Sequence, residues 1–338
     1  MDSRDRVLAT LNKKPRDHFA CMPITMMFAA DCLGVKYGNY ARDYHTLADA
    51  QLKTAELFDF DHVSAISDPA REASDCGAKV RWYEDQPPAI IESDALLAEK
   101  TVLVNLRAPS PWDGQRMRDR ILGVEALRQR VGPDKCVEGW VEGPCAEGAD
   151  LRGINRLMID FTDDPSFVRD LFDFVVHLAV QFARAQIKAG ADFIGIGDAA
   201  ASLVGPRVYK EFVLPNEKKL VDAIHEAGAP VRLHICGNTR RILDGAAELQ
   251  CEMVDVDYPV PMNEARKLMG PDQVLAGNLN PVQELRDGSP ETILKRLQTC
   301  QLEAGSNYIV AAGCEIARGT PSANVLALAG FAKSGGKT

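Results

Sequence analysis

The sequence has no apolar run long enough to cross a bilayer: its longest stretches, such as FVVHLAVQFA from Phe174, fall short of the roughly 20 residues that a spanning helix needs. Its opening, MDSRDRVLATLNKK, is charged and has no apolar h-region, so it does not read as a secretory signal. No Lys/Arg cluster is present. With 39 basic against 48 acidic side chains the formal net charge is −9, which argues against a nucleic-acid partner. There is no low-complexity tract, no long linker and no short internal repeat. The nine cysteines are an odd number and lack the spacing of a secreted disulfide framework. They are therefore expected to be reduced thiols in a cytoplasm, free to act as metal ligands.

What is there is the composition of a globular enzyme, 46% hydrophobic and 26% charged. The length of 338 residues is large for one ordinary domain but normal for an α/β barrel. A core of that size needs no staple to fold. We therefore expect one domain over residues 1–338, with a Gly/Lys-rich tail from 333 to 338 that frays.

Patterning predicts a short helix over 4–11, a first strand over 21–28, a helix over 44–58 and a strand over 62–66. Residues 78–105 read as short strands with a turn at Pro87-Pro88, an insertion over the barrel. Strands then follow at 135–142, 192–197, 230–235, 253–257, 274–278 and 308–312. Helices alternate with them at 165–189, 206–227, 239–249, 263–269, 290–304 and 321–332, several opened by start signals such as Asp164-Pro165 and Ser289-Pro290. Repeated strand–helix alternation predicts parallel strands with crossover helices. The fold class expected is α/β, a (β/α)8 TIM-type barrel with N-terminal additions; a doubly wound open sheet is the alternative.

A barrel delivers function to the C-terminal ends of its strands. Here those ends read VEG, IGIGD, RLHIC, DVDYP, AGNLNP and VAAGC. In an extended segment residues i and i+2 face one side, so His234 and Cys236 can reach one ion, and Cys314 can join from the last strand. One nitrogen and two sulfurs suit Zn²⁺, which prefers tetrahedral N/S sites and keeps a position open when catalytic. The competing reading is that each cysteine is a small buried hydrophobe and the histidine a hydrogen-bonded structural residue.

The stretches RDRVLATLNKKPRDHFACMPI from Arg4, HICGNTRRIL from His234, GNLNP from Gly277 and GCE from Gly313 resemble the uroporphyrinogen decarboxylase superfamily. More narrowly they resemble its corrinoid-dependent methyltransferase branch, which includes methylcobamide:coenzyme M methyltransferases and the methyltransferase components of bacterial O-demethylases. The resemblance covers nearly the whole chain. It implies that His234, Cys236 and Cys314 are the zinc ligands, matching a His-x-Cys…Cys motif without a gap. True uroporphyrinogen decarboxylases carry an Arg-rich signature around Gln-Ala-Gly-Arg near the N-terminus. This chain has MPITMMFAADCLG there, so Met26, Met27 and Phe28 are expected to meet an apolar or aromatic substrate, or else to be core.

Two directions of chemistry fit such a site. A zinc-bound thiol can take a methyl group from methyl-cobalt(III), or cobalt(I) on a partner can take one from a methyl ether. GWVEGPCAEGADLRG, from Gly139 to Gly153, resembles the O-demethylase enzymes more, so a methoxylated aromatic donating to a corrinoid is placed first and a coenzyme M-type thiol second. A decarboxylase-like lyase and a non-catalytic zinc scaffold are the further alternatives. Glu142 is expected to be a displaceable ligand or proton donor. Asp198, after Gly195 and Gly197, is expected to line the pocket where small residues leave room, or to cap a helix. Asn278 and Asn280 are expected to hydrogen-bond substrate, or to form a turn. His62, His177 and His225 are assigned no chemistry. The chain lacks a corrinoid-binding Asp-x-His-x-x-Gly motif, so the corrinoid is expected on a partner protein that docks at the barrel mouth, with the loops of residues 87–119 as a mobile entrance. A homo-oligomer is left open.

Overall fold

Strands that are apolar on both faces need cover on both faces, and crossover helices supply it. The computed structural model, which describes residues 1–336, has nine strands: β1 (His62–Ser64), β2 (Val80–Arg81), β3 (Ala89–Ile90), β4 (Cys136–Glu142), β5 (Phe193–Gly197), β6 (Val231–His234), β7 (Met253–Val256), β8 (Val274–Leu279) and β9 (Tyr308–Ala312). β1 and β4 to β9 form one parallel sheet in chain order, with register pairs such as Trp140↔Gly195 and Gly197↔His234. β2 and β3 form a separate antiparallel hairpin.

The sheet closes through residues 20–22. Met22 N–H donates to the Val310 carbonyl at 3.0 Å and Val310 N–H to that of Ala20 at 2.9 Å. On the other side Asp61 N–H donates to the Cys21 carbonyl at 3.0 Å. This minimal eighth stave makes a (β/α)8 barrel, as the alternation predicted.

The first strand is shorter than expected. Only Cys21 forms a bridge, and residues 27–33 turn into a helix (Met27–Leu33). Pro23 has no N–H to give a ladder, which ends pairing there. The expected helix over 206–227 is interrupted by a wide turn at Tyr209–Val213 just before Pro215, and the one over 239–249 begins only at Leu243. Three helices of nine residues or more went unread, Arg116–Val131, Pro144–Arg152 and Ile154–Asp163, as did the short ones Tyr37–Arg42 and Arg71–Asp75. The expected tail begins at the last helical residue, Lys333; residues 334–336 form turns and residues 337–338 lie outside those described. No helix among the described residues is long and apolar enough to cross a membrane.

The barrel interior is layered. Val7, Leu11, Met22, Cys136, Phe193, Met253, Val274 and Ile309 plug its lower end. Above them lies a charged layer. Arg232 donates to Asp255 at 2.9 and 3.0 Å and to Glu138 at 3.2 Å, all three buried. His62 Nε2 stands 3.6 Å from Glu138, and burial together with Arg232 keeps its imidazole neutral. Ile24, Ile66 and Trp140 cap the stack at the C-terminal mouth.

Candidate metal centre

β6 points Arg232 and His234 to the same side, inward, as the two-residue strand period requires. His234 Nδ1 lies 2.9 Å from Asp255 Oδ2 on β7. Burial pushes the Asp255 carboxyl up, but Arg232 and His234 outweigh it and hold it below the usual carboxylate range. An ionised Asp255 holds the proton on Nδ1, so that a metal ion would find the Nε2 lone pair, the arrangement of a ligand histidine.

That lone pair faces two sulfurs. His234 Nε2 is 3.1 Å from Cys236 Sγ and 3.7 Å from Cys314 Sγ, and the sulfurs are 3.8 Å apart. Zinc bonds of about 2.3 Å to sulfur and about 2.0–2.1 Å to nitrogen imply tetrahedral edges of about 3.8 Å between sulfurs and about 3.5–3.6 Å between nitrogen and sulfur. The observed triangle fits the first edge and brackets the second, so the donor set suits a Zn²⁺ ion.

Asp257 sets the distance between the two ligand-bearing loops. Its Oδ2 accepts from Gly237 N–H at 2.6 Å, and its Oδ1 from Tyr258 N–H at 2.7 Å. Gly237 has φ +88°, a conformation that favours glycine. A Cβ on Gly313 would stand 2.5 Å from Tyr258 N and 2.7 Å from Asp257 Oδ1, so only glycine lets the Cys314 loop lie this close. Asp257 was missed from sequence; its place two residues after Asp255, at the end of a strand, was the available signal.

A cavity of about 200 Å³ adjoins the triad. Ile24, Met26, Ile66 and Trp140 give it apolar walls, and Asp68, Arg71, Glu142 and Glu315 its polar ones. The Trp140 indole lies over β5, where a Cβ on Gly195 would stand 2.2 Å from it, and its ring centroid is 6.2 Å from that of His234. The glycines of IGIG thus make room for Trp140. Arg71 Nη2 donates to Glu142 Oε1 at 2.8 Å. Burial nonetheless pushes the Glu142 carboxyl up to about 8, with Glu72 adding to the rise. Glu315 is pushed up to about 7 by burial, although it accepts from Met27 N–H at 2.6 Å and Met26 N–H at 3.1 Å. Arg71, Trp140 and Glu315 were not singled out in the sequence.

The structure brings together His234, Cys236, Cys314, Glu142 and Met26 on this cavity. Five other expected residues lie elsewhere. Met27 opens the helix Met27–Leu33 and does not line the cavity. Asp198 is fully buried and accepts from Ala146 N–H at 2.6 Å and Cys145 N–H at 3.3 Å, so it caps the helix Pro144–Arg152 and not its own. Phe28 is on the first turns of the helix Met27–Leu33 and packs on Phe58, ring centroids 5.7 Å apart. Asn278 is fully buried and spends its side chain on the Val260 carbonyl at 2.7 Å and on Arg296 and Cys300. Asn280 caps the turn that follows β8, accepting from Val282 and Gln283 N–H at 3.0 and 2.9 Å.

Comparison with known proteins places these residues in context. Residues 2–334 match the family described as uroporphyrinogen decarboxylase (URO-D). The chain is 29% identical over 339 residues to the methylcobamide:CoM methyltransferase MtbA of Methanosarcina mazei, covering 98% of this chain and 97% of that protein. It is 34% identical over 216 residues to the uroporphyrinogen decarboxylase of Nocardia farcinica, but this covers 64% of the chain and 54% of that enzyme. A solved methyltransferase structure from Methanosarcina mazei superposes with a TM-score of 0.90 at 23% identity, covering 99% of this chain and 98% of that one, and so shares the fold.

Proposed function

The chain belongs to the uroporphyrinogen decarboxylase (URO-D) family, and from that premise we propose that it is a zinc-dependent methyltransferase, moving a methyl group between a small substrate and a corrinoid carried by a partner protein. The observation that carries this reading is the convergence of His234 Nε2, Cys236 Sγ and Cys314 Sγ within 4.8 Å of one another at the barrel mouth. Three soft donors suit an ion that keeps one position for substrate. Decarboxylation of a tetra-acid is disfavoured because the one guanidinium lining the cavity among the described residues, Arg71, already faces Glu142 and Glu72.

Relatives aligned over nearly the full length are named for methylcobamide and CoM. They support placing thiol acceptance first, where the sequence alone placed a methyl ether donor first. The apolar walls Ile24, Met26, Ile66 and Trp140 favour a methoxylated aromatic as the second reading. A bound Zn²⁺ would supply Lewis acidity, holding a thiol as thiolate or polarising a leaving oxygen. The chain's own residues do the rest. Asp255 fixes the His234 tautomer and ring angle. Trp140, Met26 and the two isoleucines exclude water from the reacting groups. Glu142 holds a proton near neutral pH and can share it with a substrate heteroatom.

The test is zinc per chain by elemental analysis on wild type and Cys314→Ser together, followed by loss of methylcobalamin absorbance on adding thiol. About one zinc in the wild type, sharply reduced in the variant, is the expected result. Carefully prepared wild type without zinc would overturn the mechanism.

A further inference from the structure

Coenzyme M, the acceptor in the relatives' names, is a short alkanethiol that ends in a sulfonate, a permanent anion. A molecule of that length bound by its sulfur places the anion within the same small cavity. An anion taken out of water needs a cation or several free donors to receive it.

This cavity offers neither. Among the described residues that line it, Arg71 is the one side chain with a permanent positive charge. It is 1% exposed and faces protein oxygens: Nη2 donates to Glu142 at 2.8 Å and Nη1 to the Asp68 carbonyl, while Nε makes no hydrogen bond but lies 3.3 Å from the Glu72 carboxylate. The remaining polar lining is acidic. Asp68 is paired with Arg116, Nη2 to Oδ2 at 2.6 Å, and Arg116 does not line the cavity. Glu315 takes two backbone N–H groups that would otherwise be free to meet an anion. Arg240, four residues after Cys236, is paired with Glu264 at 2.6 Å, and Arg318, four after Cys314, with Asp31 and Asp85; neither lines the cavity. A triad of one neutral histidine and two thiolates around a divalent ion adds no net charge. Whatever the protonation of Glu142 and Glu315, the walls are neutral or negative.

We propose that this cavity selects a substrate with a neutral or cationic body and an apolar portion, and rejects thiols and methyl donors that carry an anionic group. The inference rests on reading the cavity as the methyl-transfer site. It deepens that reading by naming the substrate class, and it separates this chain from the acceptor that names its relatives.

Three thiols of equal reach decide it: 2-mercaptoethanol, cysteamine and 2-mercaptoethanesulfonate, compared per thiolate to remove differences in their acidity. Transfer from methylcobalamin by the zinc-loaded protein gives kcat/KM for each. Titration of the Co²⁺-loaded protein, followed by the thiolate-to-cobalt absorption, gives Kd without turnover. The expected result is a disadvantage of about tenfold or more for the sulfonate against both others. A sulfonate that binds and reacts as well or better overturns the inference, and leaves methyl transfer standing if methyl is transferred. If no thiol is methylated but the order of Kd holds, the charge selection stands and thiol acceptance fails. If none perturbs the cobalt spectrum, both fail. Met26→Lys, which sets an ammonium on the cavity wall, should move the ratio of Kd values about tenfold toward the sulfonate. An unchanged ratio would overturn charge as the cause.

Discussion

At the cavity wall Glu142 shares one oxygen with Arg71 at 2.8 Å, and buried Glu72 lies next to that guanidinium. With its carboxyl pushed up to about 8, Glu142 is protonated below that pH and ionised above it. A step that uses its proton should run level below pH 8, and kcat/KM should fall about tenfold per unit above it. Glu142→Gln should remove that limb and lower kcat/KM by about 10²-fold. A limb that persists in the variant belongs to another group. The same shift has a stability sign. The folded value lies above the ordinary 4.5, so the contribution is complete below that value and is lost as pH rises toward and past 8. The convergence of His234, Cys236 and Cys314 was legible at this scale because strand period and strand ends together fix where they point. Asp198, Asn278 and Asn280 also sit at strand ends, yet a short polar side chain there can equally serve the backbone: Asp198 caps the helix Pro144–Arg152, Asn278 bonds the Val260 carbonyl and Asn280 caps the turn after β8. Nothing in the sequence chooses between the two uses. Arg71 and Glu315 escaped notice because their roles come from burial beside residues far away in the chain.

Among the elements, β5 shows how a strand can act by what it omits. Gly195→Ala would place a methyl group 2.2 Å from the Trp140 ring. Overpacking of that kind costs about 1–3 kcal/mol, and the ring can yield only by leaving its place against the cavity. The expected outcome is a changed tryptophan emission and a lower kcat/KM with zinc content unaltered; unchanged emission and rate would show that the indole has another berth. Elements with end signals matched the sequence closely. The helix Pro165–Ala189 starts at its Asp164 cap, and Pro290–Ala304 at the Ser289 capping box. The helix Arg116–Val131 was hidden because Arg116 and Arg120 stand on its buried face, Arg116 bonded to Asp68, so charge interrupts the apolar stripe that marks a helix. Pro144–Arg152 is buried on nearly every side and has no polar face to alternate with.

For the whole molecule, closure of the barrel depends on three residues with no periodicity to reveal them. Asp61 holds that seam, accepting from Cys21 N–H at 2.7 Å and from Arg6 Nη1 at 2.6 Å. Asp61→Ala would leave the Cys21 N–H and one N–H of Arg6 without an acceptor, while Asp17 still pairs with that guanidinium, and should cost about 1–3 kcal/mol in denaturant unfolding. Zinc content of the folded fraction should not change, since the seam lies at the opposite end of the barrel from the triad; zinc lost in step with stability would tie the two ends together. The parallel barrel could be read from alternation alone, while the seam and the charged layer of Glu138, Arg232 and Asp255 could not, because both are made of contacts between residues distant in sequence. The ligand pattern carries a last consequence for the architecture. Cys236 and Cys314 stand 78 residues apart in the chain, and β7, β8 and β9 with the helices between them lie in that span. An ion joining the two sulfurs knots that length into a ring, restraining the unfolded chain as a crosslink does. The metal would then be a rivet as well as a reagent, and its withdrawal would loosen one arc of the barrel before the rest.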